Sequence, residues 1–336
     1  MTYSKTVVLP VSPDEAFALV TEPERLRRWQ AVSATVDLQA GGDYRWTITP
    51  GHIAAGTYRE IEPGRRIVFG WGWVGSDSLP PDQSTVTITV EPVEGGGSTV
   101  TLTHAGLEGE QAEAHATGWD HYLERLGRIA ATGDAGPDEW SVMPESLDPV
   151  TAAEACLAAL QPVLRNLTAS DQPKPTPCTD FTCHDVAEHL MASMEQLGAM
   201  AGATVTNPDA GSLENRVSVM AAEAIKGWRA VDLSGTVPGP GGSQMPASMA
   251  AGILSMEIAL HGWDIAQSSG QPFTLPDDLV AYLRGHAEAL VPGGRGSSFA
   301  AEVTPPTDAS PLDQLAAFTG RTPLSVSPSI PQEGTS

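Results

Sequence analysis

The sequence has 336 residues, 41% of them apolar and 18% charged, which is enough to bury more than one hydrophobic core. Acidic residues outnumber basic ones by 41 to 18, giving a formal charge of −23. Such a charge repels phosphate backbones and anionic lipid, which argues against nucleic-acid and membrane partners. The remaining features favour a cytoplasmic protein: no apolar run approaches the roughly 20 residues that cross a bilayer, the start lacks a signal-peptide pattern, and three cysteines cannot all pair.

The pattern of residues 5–107 indicates mainly β-strands. A short helix follows the first strand, where Ser12 can cap, Pro13 can take the first helical position and Glu15 can close a capping box. Segments of alternating polarity then follow, separated by glycine-containing turns, as in an antiparallel meander: ATVDLQ, DYRWTIT, GTYREIE, RRIVFGWGW, STVTITVEPV and STVTLTHAG. A helical pattern covers about residues 111–131. We therefore predict an α+β fold, with an antiparallel sheet around a long C-terminal helix.

The order of these motifs, from VSPDEAFALVTEPERLRRWQ through GTYREIEPGRRIVFGW to GWDHYLERL, resembles the START-like (SRPBCC) helix-grip family over about residues 1–133. The resemblance is closest to bacterial relatives of the heat-shock-protein-90 ATPase activator. It implies a hydrophobic cavity between sheet and long helix, without fixed catalytic residues. Trp46, Trp71, Trp73 and Trp119 are candidates to line this cavity and contact a small hydrophobic ligand. The alternative is that they fill the core, since aromatic side chains supply much of any core's burial. Chaperone modulation is suggested only by the family's name, and a fold does not carry a function.

Residues 134–148 have the glycine, proline and acidic content of a linker. Beyond them the pattern becomes helical over residues 149–323, where several amphipathic helices with modest loops predict an all-α antiparallel bundle. One of these helices begins with a capping pattern of Thr182 and Asp185. The Ser/Pro-rich tail, residues 324–336, is expected to be disordered.

One apolar helix, SMEIALHGWDIAQ, carries Glu257 and His261 four residues apart, which places both side chains on the same face. A carboxylate and an imidazole in that arrangement can share one divalent metal ion or hydrogen-bond to each other. Catalytic zinc sites commonly use three protein ligands, as in His₂Glu. The best third donor is His189, because it lies at the edge of the apolar face of its own helix.

The motifs PTPCTDFTCHDVAEHLMAS, EIALHGWDIAQSSGQP and SPLDQLAAFTGRTP resemble the DinB-like metal-binding domain of the mycothiol-dependent maleylpyruvate isomerase family, over about residues 148–323. The resemblance implies an all-α DinB-like four-helix bundle. It also implies that His189, Glu257 and His261 are metal ligands and that mycothiol is the thiol cosubstrate. We expect zinc, although His/Glu ligand sets also suit nickel, cobalt and iron. The isomerase carries a C-terminal accessory domain, whereas a helix-grip domain comes first here, so we expect a different substrate from maleylpyruvate.

Asp264, three residues after His261, can accept a hydrogen bond from that imidazole and orient it, or can bond with Trp263 or an adjacent helix. The glycine-rich segments lack the features of phosphate-binding loops, no Gly-x-Ser-x-Gly motif is present, and we assign no catalytic nucleophile. The expected function is a metal-dependent, thiol-dependent transferase or isomerase that acts on a small electrophile. The alternative is a non-catalytic protein that binds a hydrophobic ligand and has a structural or regulatory metal.

Overall fold

The computed structural model describes residues 2–239 and 242–324. Contacts within the chain divide it into two units, and the boundary along the sequence lies between Ala159 and Leu160. The tail predicted to be disordered lies outside the described residues, except for Leu324. Within the described ranges, no helix has both the length and the apolar character needed to cross a membrane.

The first unit is built on one antiparallel sheet. Its strands are β1 (Tyr3–Leu9), β2 (Ser33–Val36), β3 (Asp43–Thr49), β4 (His52–Glu62), β5 (Arg66–Trp73), β6 (Ser84–Pro92) and β7 (Ser98–Ala105). All seven are antiparallel to their neighbours, in the order β1-β7-β6-β5-β4-β3-β2. The chain thus runs as a meander from β2 to β7, and β1 closes the far edge beside β7.

Four helices complete this unit: α1 (Pro13–Thr21), α2 (Pro23–Leu26), α3 (Gly109–Thr132) and α4 (Glu139–Val142). Ser12 caps α1 as predicted, and its side chain accepts a hydrogen bond from the Glu15 amide at 3.3 Å. The Glu15 carboxylate does not close a capping box, because it pairs with Arg25 at 2.7 Å. One face of α3 is buried with the inner face of the sheet in a single core cluster. The helix-grip architecture predicted for this part of the chain is confirmed.

Residues 134–148, which we expected to form a linker, pack against α3 and include α4. The buried guanidinium of Arg125 donates hydrogen bonds to the backbone oxygens of Pro137 at 2.8 Å and Gly136 at 3.1 Å. Asp138 accepts a hydrogen bond from His121 Nε2 at 3.1 Å. The composition of the segment is that of a loop, but these contacts make it part of the first unit.

The rest of the chain is helical, as predicted, with one added hairpin. The helices are α5 (Pro149–Arg165), α6 (Cys183–Met200), α7 (Leu213–Arg229), α8 (Ala247–Ser269), α9 (Asp277–Gly294) and α10 (Pro311–Phe318), and the hairpin pairs β8 (Thr236–Pro238) with β9 (Gln244–Pro246). α6 packs against α7 and α8, α8 against α9, and α9 against α10. The structure supports a helical domain, and its DinB-like identity stays a proposal.

The boundary between the units falls inside α5 and not before it. The first part of α5 contacts the β3–β4 turn, where the Gly51 amide donates a hydrogen bond to Glu154 Oε2 at 2.8 Å. A predicted feature of α6 is present, since Thr182 and Asp185 form a reciprocal capping box.

Candidate functional site

The three predicted metal donors meet between α6 and α8. His189 comes from α6, while Glu257 and His261 come from successive turns of α8. The Nε2 atoms of His189 and His261 lie 3.7 Å and 3.5 Å from Oε2 of Glu257. One ligand atom from each of the three lies within 4.8 Å of the others. Donors at this separation can surround one ion at bond lengths of about 2.0–2.2 Å.

The Oε2 atom of Glu257 is buried and has no hydrogen-bond partner among the described residues. A buried carboxylate oxygen without a partner carries a desolvation cost that a bound cation can offset. Burial by itself favours the neutral acid, but His261 and His189 outweigh it and hold the Glu257 pKa at about 2. The charge and the unpaired oxygen both fit a divalent ion.

A chain of hydrogen bonds behind His261 fixes its orientation. Nδ1 of His261 lies 3.0 Å from Oδ2 of Asp264, and Arg321 Nε donates to both oxygens of that carboxylate at 3.0 Å. Arg321 Nη1 in turn donates to Thr319 Oγ1 at 3.0 Å. Asp264 holds one ring proton on Nδ1 and directs Nε2 toward Glu257, where Nε2 can become a donor atom once the second ring proton leaves. Asp264 therefore contacts the imidazole of His261, and it binds Arg321 as well.

The pKa values of the two histidines shift in opposite directions. Burial opposes the charge of His261, but the hydrogen bond to Asp264 and the nearby Glu257 carboxylate prevail and raise its pKa to about 9. Burial, followed by the charge of His261, lowers the pKa of His189. The His189 side chain is also 43% exposed, so the cluster is accessible from solvent on that side.

Cys178 was not among the predicted site residues, yet its thiol lies beside the cluster. One ligand atom from each of Cys178, His261 and Asp264 lies within 4.8 Å of the others. Burial, and then Asp264, raises the pKa of the Cys178 thiol, which does not favour a role as nucleophile. No spacing in the sequence connects this cysteine with α8, because the loop before α6 brings it there.

The first unit contains a cavity of about 540 Å³ between β3–β5 and α3. Three of the tryptophans predicted for a ligand cavity line it: Trp71, Trp73 and Trp119. Trp140, from the segment 134–148, lines it as well. Trp46 is not among the residues that line the cavity, and its side chain lies in the core at 1% exposure. It packs there against Tyr44, with ring centroids 4.5 Å apart.

Two histidines that the sequence analysis missed hold these tryptophans in place. The indole nitrogens of Trp71 and Trp73 both donate to Nε2 of His115 at 3.2 Å, and that of Trp119 donates to Nδ1 of His104 at 2.9 Å. His104 Nε2 lies 2.8 Å from Ser84 Oγ. Burial, and then His115, lowers the His104 pKa to about 3, so this ring is neutral. The spacing held a signal for both, because His104 lies two residues after the inward-facing Leu102 in β7 and His115 lies four residues before the buried Trp119 in α3.

Comparison with known proteins gives matches to parts of the chain. The family "Activator of Hsp90 ATPase homolog 1-like protein" matches residues 10–131. An uncharacterized protein of Mycobacterium tuberculosis, Rv0738, is 31% identical over 182 residues, which cover 52% of this chain and 99% of that protein. Among solved structures, an AHSA1-like protein of Rhizobium etli is 38% identical, with a TM-score of 0.36 and coverage of 44% of this chain and 91% of that one. The Aha1 dimer of Colwellia psychrerythraea is 16% identical, with a TM-score of 0.36 and coverage of 40% and 98%.

Proposed function

We propose that this chain binds a divalent metal ion and acts as a thiol-dependent transferase or isomerase. The chain belongs to the same family as the uncharacterized protein Rv0738 of Mycobacterium tuberculosis, and it carries an AHSA1-like domain over residues 10–131. The observation that carries the proposal is the convergence of His189, Glu257 and His261, with an unpaired buried oxygen on Glu257. The resemblance of the helical half suggests zinc as the ion and mycothiol as the thiol.

His189, Glu257 and His261 would hold the ion. A divalent ion stabilises a thiolate over a thiol, and so supplies a nucleophile at neutral pH. Asp264 keeps the Nδ1 proton of His261, so Nε2 is the nitrogen that would lose its proton and donate to the ion. The exposed side of His189 provides the direction from which a thiol and a small electrophile can approach.

The direct test measures metal-dependent and thiol-dependent conversion of an electrophile. Metal-loaded protein is incubated with mycothiol and a panel of small electrophiles, beside the metal-free protein and the His261→Ala variant. We expect at least one electrophile to be converted only by the metal-loaded wild type with mycothiol present; a transferase consumes the thiol, whereas an isomerase regenerates it. A matched control is His184→Ala, because His184 is an exposed histidine on the same helix as His189 and should keep full activity. Stoichiometric metal binding without thiol-dependent conversion of any electrophile would contradict the catalytic proposal.

The cavity of the first unit supports a second candidate, a binding protein with a structural or regulatory metal. Gln30 and Tyr122 line this cavity, and Nε2 of Gln30 and Oη of Tyr122 are buried without a hydrogen-bond partner in the described part of the chain. A small ligand with an apolar body and one polar group can pair with such atoms. Native mass spectrometry of protein purified from its own host should then show a co-purifying ligand of small mass. Repeated recovery of the unliganded protein would argue against this candidate.

A further inference from the structure

We infer that the cavity of the first unit selects an organic ammonium cation, that is, an apolar body with a protonated amine or a quaternary nitrogen. The inference rests on the proposal that this cavity binds a small ligand, and it is independent of the metal centre. Three observations carry it: four tryptophans line the cavity, two exposed carboxylates also line it, and three of the indole N–H groups are already paired.

The wall is unusually rich in indole rings. Trp71 lies between Trp73 and Trp119, with ring centroids 5.6 Å and 5.1 Å away, and Trp140 adds a fourth ring from the segment 134–148. The faces of aromatic rings are electron-rich and attract cations, and tryptophan does so most strongly. Desolvation of the cation inside a cavity increases this attraction.

Three of the four indole N–H groups already donate hydrogen bonds within the protein, so they are not available to bind an anion. His115 Nε2 accepts from both Trp71 and Trp73, and His104 accepts from Trp119. The other nitrogen of His115 lies 2.7 Å from the Gln111 carbonyl oxygen, to which it donates. His115 therefore has no N–H left for a ligand, and its neutral ring provides no positive charge.

Charged groups at the cavity are acidic. Glu139 and Glu145 line it, and both are exposed residues of the segment 134–148. Oε2 of Glu145 lies 3.8 Å from Nε2 of His52, which also lines the cavity. Among the described residues of the lining, none is lysine or arginine. The chain as a whole carries a formal charge of −23, which attracts cations and repels carboxylates over longer distances. A ligand N–H can also donate to Tyr122 Oη, which is buried without a partner.

Three probes of the same shape test the charge preference: 4-phenylbutylamine, which is protonated near neutral pH, 4-phenylbutan-1-ol, which is neutral, and 4-phenylbutanoate. Their affinities for the full chain are measured by tryptophan fluorescence and calorimetry at low ionic strength. We expect the amine to bind about tenfold more tightly than the alcohol, and the carboxylate to show no saturable binding. Added salt should weaken the binding of the amine and leave that of the alcohol unchanged.

Variants separate the two sources of the preference. Glu139→Gln with Glu145→Gln should reduce amine affinity a few-fold without changing that of the alcohol, whereas Glu94→Gln, outside the lining, should change neither. Trp73→Leu should reduce the ratio of amine to alcohol affinity, and Trp73→Phe should retain most of it. Equal or tighter binding of the alcohol or the carboxylate overturns the inference while leaving a ligand-binding cavity in place. Absence of binding by all three probes overturns the inference together with the proposed role of the cavity.

Discussion

The Nδ1 atom of His261 lies 3.0 Å from Oδ2 of Asp264, and the two side chains are only 4% and 0% exposed. Arg321 holds the same carboxylate from the other side at 3.0 Å. The imidazole is thus oriented by buried groups before any ion binds, with Nε2 directed toward Glu257. Pre-orientation of this kind reduces the conformational cost of forming a metal site.

Removing either histidine of the cluster should remove the metal. His189→Ala and His261→Ala each take away one of three protein donors, and we expect less than stoichiometric metal in both after gel filtration. The fold should persist, because buried apolar residues supply most of the stabilisation of the helices. Elemental analysis and circular dichroism measure the two effects, with His184→Ala on the same helix as the control. Full metal content in either variant would contradict the assignment.

Weakening the support of His261 should lower metal affinity without removing the site. Asp264→Asn keeps the shape of the side chain but removes its charge, and we expect an affinity about 10–100-fold lower. Competition with a chromophoric chelator measures this change. Glu288→Gln is the control, because Glu288 is an exposed carboxylate that pairs with Arg284 on α9. An unchanged affinity in Asp264→Asn would show that Asp264 does not orient the ligand.

Metal binding to the metal-free protein should release a proton near pH 7. The pKa of His261 is raised to about 9 in that state, so its ring carries a proton that must leave before Nε2 can act as a donor. The pKa of His189 is lowered, so this residue releases none at that pH. We expect about one proton per ion, and an affinity that rises with pH until about pH 9. Calorimetry in buffers of different ionisation enthalpy counts the protons, and a count of zero would contradict this expectation.

The first unit should lose stability in mild acid. The pKa of His104 falls to about 3 on folding, so the folded state binds fewer protons than the unfolded chain between that pH and the usual histidine value. The unfolding free energy is therefore highest above about pH 6.5 and decreases as the pH falls toward 3. The decrease amounts to about 2 kcal/mol by pH 5.

Urea unfolding followed by tryptophan fluorescence reports mainly on this unit, which contains six of the eight tryptophans. His104→Gln should flatten the decrease of the unfolding free energy between pH 7 and pH 5, because glutamine does not titrate there. His52→Gln, at a half-exposed position of the same unit, should retain the decrease. Identical pH dependence in His104→Gln and the wild type would rule out His104 as the cause.

The segment 134–148 should detach from α3 when Arg125 can no longer bind its carbonyl groups. Arg125→Met removes the donors for Gly136 and Pro137, and we expect faster amide hydrogen exchange there and a loss of about 1–3 kcal/mol of unfolding free energy. Arg128→Met is the matched control, because Arg128 lies on the same helix and is 51% exposed. Unchanged exchange in Arg125→Met would mean that other contacts hold the segment.

Local features of the chain were predictable because they depend on neighbouring residues. Alternating polarity and glycine turns indicated the antiparallel sheet, and the caps at Ser12 and Thr182 followed from residues three positions away. The proximity of Glu257 and His261 also followed from spacing alone, since residues four apart share a face of an α-helix.

Contacts between distant residues were decided by packing. His189 reaches Glu257 only because α6 lies against α8, and the partner of Asp264 is Arg321, 57 residues further along the chain. The packing of the segment 134–148 against α3 likewise depends on a contact with Arg125, whose role no local pattern reveals. Spacing along one element fixes the direction of its side chains. The partner that each side chain meets depends on how the elements pack, and only the tertiary structure shows this.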